Sequence, residues 1–111
     1  LSNTTGCYNA GIGNGALCGN TTGDHNTAIG CGALKGSLSG GHNFAAGCQA
    51  LSNNWGGTNN TAIGRCALLS NCTGYSNVAV GYQSLFLNKA ANQLYRLIQQ
   101  VIVIMLLGRL L

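Results

Sequence analysis

The chain has 111 residues, which fits one domain, but only 5% of them are charged, against about 25% in a typical soluble domain. The net charge of +4 reflects a scarcity of acids, Asp24 being the only one, and not a basic patch. The five bases (Lys35, Arg65, Lys89, Arg96 and Arg109) are dispersed, so no backbone-tracking cluster points to nucleic acid. Disorder is disfavoured as well, because 46% of the chain is hydrophobic and those residues recur at fixed positions.

The recurrence has a period of 17. Asn9, Asn26, Asn43, Asn60 and Asn77 keep that spacing, as do Gly13, Gly30, Gly47, Gly64 and Gly81, and Leu17, Leu34, Leu51, Leu68 and Leu85. Gly6, Gly23, Gly40, Gly57 and Gly74 form a fourth row. The consensus reads G-x-x-N-T-A-I-G-x-x-A-L-x-x-N-T-T, with no break in register over residues 4–88. Helical repeats need about thirty residues or more per unit, whereas 17 residues fit one coil of a β-solenoid. The sequence therefore predicts an all-β protein, a β-solenoid or β-roll of five coils over 1–88. In each coil N-T-A-I-G would be one short strand and A-L with its neighbours a second. Glycines and Asn, Thr and Ser residues would turn the corners. Successive coils would lie about 4.8 Å apart.

Alternation along a strand puts Ala28 and Gly30 on one face and Thr27 and Ile29 on the other. A thin single interior uses only one of these faces. The other is left for a partner chain or a second layer.

After Asn88 the pattern fails: Ala91 stands at a Gly position and Leu94 at an Asn position. Leu94, Leu97, Ile98, Val101, Ile102 and Met105 lie at helical spacing, predicting a short hydrophobic helix within 89–111. The apolar run Val101 to Leu107 is shorter than the ~18 residues of a membrane span, so a membrane is not the expected partner. Three readings stand: a cap on the open end of the solenoid, the start of a coiled coil or anchor, or a departure from the authentic reading frame. The chain also starts at Leu1, partway through a repeat, and is read as a piece of something longer.

Six cysteines are present, and only Cys31 and Cys48 share a phase, which would stack them on adjacent coils within disulfide range. The alternative is that all six are small apolar residues tolerated by the solenoid. No C-x-x-C pair occurs, so a zinc site is not expected, and no other metal or cofactor is called for. His25 and His42 share a phase too and read as solvent-facing turn residues. Asn3, Asn20, Asn59 and Asn71 each open an N-x-S/T sequon, either as glycosylation acceptors or as ordinary corner residues. With one carboxylate and no cleft expected in a narrow rod, there is no catalytic set, and an enzyme is the least supported class.

The segments N-T-A-I-G-x-x-A-L (Asn26 to Leu34 and Asn60 to Leu68) resemble the tandem repeats of phage and large-virus tail-fibre-like proteins. They are also similar to the S-V-A-I-G head repeats of trimeric autotransporter adhesins, with a longer unit and added cysteines. That resemblance implies a non-catalytic structural or adhesive fibre at an extracellular, cell or virion surface. It further implies self-association as a homotrimer and contact with a host surface receptor or glycan. A self-assembling filament and an ice-binding solenoid are the alternatives.

Overall fold

The structure, a computed structural model, describes residues 4–85 together with the backbone of 95–96. It is an all-β solenoid with one short strand per 17-residue step. The strands are β1 (Ala10–Ile12), β2 (Thr27–Ile29), β3 (Phe44–Ala46), β4 (Thr61–Ile63), β5 (Val78–Val80) and β6 (Tyr95–Arg96). They form a single parallel sheet in chain order, with every residue paired to the one 17 positions later, as in Thr27 to Phe44 and Phe44 to Thr61. β-Branched and aromatic residues at the ends of the three-residue strands suit this pleated ladder.

The A-L stretch is not a second strand. It is a series of three overlapping turns, in which Ala16 N donates to Gly13 O (3.2 Å), Cys18 N to Gly15 O (3.3 Å) and Asn20 N to Leu17 O (3.1 Å). The cause is the backbone of the leucine row: Leu17, Leu34, Leu51, Leu68 and Leu85 all have φ between 50° and 55°. A left-handed residue cannot continue an extended chain. That conformation costs a non-glycine residue about 1–2 kcal/mol. Complete burial of a leucine contributes roughly 1.5–3 kcal/mol, so burial wins. The turns still join coil to coil, since Leu34 N donates to Ala50 O (2.9 Å) and Leu51 N to Ala67 O (3.0 Å).

The core is narrow. From the sheet side it holds Ala28, Ala45, Ala62 and Ala79, and from the turn side Ala33, Ala50 and Ala67 with the leucine row. An alanine opposite a leucine fills the one-side-chain gap between the walls, so the alanine face of each strand turns inward. The isoleucine face turns outward, and Ile12, Ile29 and Ile63 are exposed.

Two rows of asparagine close the core. Each Oδ1 of the first row accepts the backbone N–H of the next Asn: Asn26 to Asn9 (2.9 Å), Asn43 to Asn26 (3.0 Å), Asn60 to Asn43 (2.9 Å) and Asn77 to Asn60 (3.0 Å). Each Nδ2 then donates to a glycine carbonyl of the following corner, Asn26 to Gly40 (2.7 Å) and Asn43 to Gly57 (2.8 Å). Asn20, Asn54 and Asn71 of the second row donate to Gly23, Gly57 and Gly74 from within the same coil. Burial of so many polar groups is tolerated because these bonds satisfy most of them. Ser37 interrupts the second row, and its buried Oγ has no hydrogen-bond partner.

Two glycine rows have no substitute. At Gly30 and Gly47, with φ of 124° and 133°, an added Cβ would lie 2.8 and 2.6 Å from backbone of the next coil. At Gly40 it would meet the carbonyl oxygen of Gly57.

The expected helix falls mostly outside the described residues. Tyr95 and Arg96, which lie within it, adopt strand β6 and pair with Val78 and Ala79 at the same 17-residue offset. The ladder therefore passes the boundary that the pattern suggested at residue 88.

Candidate functional site

Because the coils are in register, every outward phase becomes a column of side chains at the inter-strand spacing. These columns are where the fold gathers outward side chains among the described residues.

The first column is aromatic. Tyr8, His25 and His42 occupy the same corner of successive coils, all with φ near 58°. The His25 and His42 rings stack at 4.7 Å between centroids and 5° between planes, and Tyr8 stacks on His25 at 4.8 Å. The two histidines are thus exposed turn residues stacked one coil apart, as their phase suggests. Tyr8 completes the stack, and its phase (17 before His25) was a readable signal. Asp24, the one acid, is used by the backbone: its Oδ1 accepts the N–H of Cys7 (2.7 Å) and its carbonyl that of His42 (2.9 Å). No group of three or more His, Cys, Asp or Glu residues that could hold a metal ion occurs among the described residues.

The second column follows the glycine corner and contains Asn14, Cys31, Cys48, Arg65 and Tyr82. Cys31 is exposed, Cys48 half-buried, and both thiols are free. The other cysteines fall in other columns. Cys66 lies one position further along the coil and is buried, with its Sγ 3.7 Å from Gln49 Oε1.

The third feature is the outer face of the sheet. One row is Ala10, Thr27, Phe44, Thr61 and Val78, the other Ile12, Ile29, Ala46, Ile63 and Val80. Neither row contains a charged residue. Exposure is 64% at Ile12, 41% at Ile29 and Ile63 and 37% at Phe44, which makes this an open apolar band. A separate exposed row, Thr5, Thr22, Ser39, Gly56 and Thr73, carries hydroxyls but is broken at Gly56. Leu38 and Trp55, on adjacent coils, add a smaller exposed apolar pair.

The repeat residues singled out in the sequence are structural. The asparagine, glycine and leucine rows hold the core and corners rather than a binding surface. The sequons divide. Asn20 and Asn71 are buried, at 1% and 0% exposure, with their amide nitrogens committed to Gly23 and Gly74, so neither is a glycan acceptor in the folded chain. Asn59 is exposed, and Asn3 lies outside the described residues. Phase separates these cases in part: Asn59 stands 17 after His42 in the exposed column, whereas Asn20 and Asn71 share the phase of Asn3 and Asn54.

No known family, no curated protein and no solved structure matches the chain. Among the described residues no helix is long and apolar enough to cross a membrane.

Proposed function

We propose that the chain is a structural module of a fibre at an extracellular or virion surface, without catalytic activity, and that it assembles with copies of itself. The observation that carries this reading is the open apolar band on the sheet, ten uncharged positions aligned over five coils. A lone rod in water gains nothing from such a band. Contiguous exposed apolar surface of this kind usually marks an interface. A copy of the same chain suits it, because only a surface with the same 4.7–4.9 Å repeat meshes with the rows coil after coil. The resemblance to trimeric adhesin heads and tail fibres favours three copies. Outward columns such as Leu38 with Trp55 would remain for contact with a host receptor or glycan.

The test is the absolute mass of the full chain by light scattering after size exclusion. A discrete trimer supports the reading and a stable monomer refutes it. An open-ended mass distribution would point instead to a filament growing by strand pairing at the coil ends. The exposed Thr5, Thr22, Ser39 and Thr73 row keeps ice binding as a second reading, to be removed by an absence of thermal hysteresis.

A further inference from the structure

We propose that Cys31 and Cys48 form an oxidisable pair, a covalent staple between two adjacent coils that closes when the chain meets a disulfide donor. This inference does not depend on the fibre reading, since it concerns a single chain.

The placement rests on the ladder. Gly47 N donates to Ile29 O at 2.8 Å and Gln49 N to Cys31 O at 2.8 Å, so Cys48 is held directly opposite Cys31 by bonds on both sides. The parallel spacing puts their Cα atoms about 4.8 Å apart, inside the 4.4–6.8 Å window of disulfides. The coils are also pressed together here, since a Cβ on Gly30 would come within 2.8 Å of Gly47. A disulfide needs its Cβ atoms at roughly 3.5–4.5 Å, slightly closer than the rungs of a regular sheet. The backbone can supply that adjustment, because Cys31 stands between Gly30 and Gly32, neither of which has a side chain to repack. The remaining cysteines lack this relation. Cys7, Cys18 and Cys72 each occupy a column with no second cysteine, and Cys66 stands one position further along the coil, where its Sγ lies 3.7 Å from Gln49 Oε1.

The exposures give the order of events. Cys31, the exposed member, attacks a low-molecular-weight disulfide as its thiolate. The donor S–S bond breaks, a mixed disulfide forms on Cys31, and one donor thiolate leaves. The half-buried Cys48 then attacks the Cys31 sulfur, and the second donor thiolate leaves. Two protein thiols are oxidised, one donor disulfide is reduced to two thiols, and the two protons pass to the leaving thiolates.

The experiment uses the full chain, fully reduced and then treated with oxidised glutathione under native conditions. Free thiols are blocked before tryptic digestion without reductant. Cleavage at Lys35 and Arg65 leaves Cys48 as the only cysteine of the peptide 36–65. The expected result is a disulfide-linked pair of peptides 1–35 and 36–65. It should persist when Cys7 and Cys18 are both changed to serine and vanish in Cys31→Ser. It should also vanish when oxidation is done in denaturant, where the coils no longer align the thiols. Recovery of Cys48 as a blocked free thiol, as a glutathione adduct, or linked to peptide 66–89 would overturn the proposal. So would persistence of the 1–35 link in Cys31→Ser.

Discussion

Ser37→Asn should raise the stability of the chain, an uncommon outcome for a buried substitution. In the second asparagine row, Asn20, Asn54 and Asn71 donate to Gly23, Gly57 and Gly74 at 3.0–3.1 Å, and Asn71 Nδ2 also reaches Asn54 Oδ1 at 2.9 Å. Ser37 is too short for either bond, so Gly40 receives Asn26 but has no donor from its own coil, and the Ser37 Oγ is buried without a partner. The atoms nearest a Cβ on Gly23 or Gly57 include the Oδ1 of the row asparagine in the same coil, whereas those nearest a Cβ on Gly40 belong to Gly57 and Asn54. Two new buried hydrogen bonds at about 0.5–1.5 kcal/mol each would gain about 1–3 kcal/mol. Ordering the asparagine side chain costs about 1 kcal/mol. The net is a stabilisation of up to about 2 kcal/mol, and each kcal/mol corresponds to roughly 4–8 °C in Tm for a domain near this size. Thermal denaturation followed by circular dichroism reads it directly. Asn54→Ser should lower Tm by opening a second gap. Ser37→Ala separates the contributions, since it removes the unpartnered hydroxyl without adding a bond, and any gain it shows is relief of that group alone. If Ser37→Asn melts at or below the parent, the asparagine row is not what holds this corner.

Asn43→Ala would leave the Asn60 N–H without its acceptor and the Gly57 carbonyl with one donor fewer; the expected loss is about 2–4 kcal/mol, measured by urea denaturation. Gly40→Ala should abolish the cooperative transition, because its Cβ would collide with the Gly57 carbonyl, and backbone cannot yield as a side chain does. Leu51→Ala removes a fully buried side chain and should cost about 2–5 kcal/mol in the same assay.

The period and the type of fold were legible because each coil repeats one set of constraints, and a strict 17-residue step admits few architectures. The number of strands per coil was not. The A-L stretch looks like a strand by composition, and only the left-handed backbone of the leucine row reveals a turn. Leucine rarely adopts that conformation, so no propensity signals it; it is imposed by the need to point one large side chain into a narrow core. The Tyr8, His25 and His42 stack could be read from phase. Asn59 shares that phase and its exposure, whereas the inward turn of the Asn20, Asn54 and Asn71 row could not be read, because it depends on how far round the corner that row sits. The 17-residue offset of Tyr95 and Arg96 from Val78 and Ala79 was present in the numbering, but the side chains there no longer match the consensus, and backbone pairing does not require them to.

The width of the core decides which face of each strand turns inward. Alternation allows either the alanines or the isoleucines to face inward, and isoleucine inside would bury more apolar area. The core excludes it. The leucine row already reaches across from the turns, and isoleucine opposite leucine would force the walls apart, breaking the bonds that tie Asn26 to Gly40 and Asn43 to Gly57. The isoleucine row is therefore displaced to the surface by the same geometry that builds the core. Once outside, it contributes little to the stability of a single chain, and a surface change there normally shifts stability by no more than about 0.5 kcal/mol. Ile63→Lys separates the two roles. The variant should fold with nearly the parent Tm at a protein concentration where only monomer is present. If the band joins copies, the buried charge should shift the light-scattering mass to that of the monomer. Loss of fold in this variant would mean that the isoleucine row supports the coil itself, and an unchanged oligomer would remove the band as the contact surface.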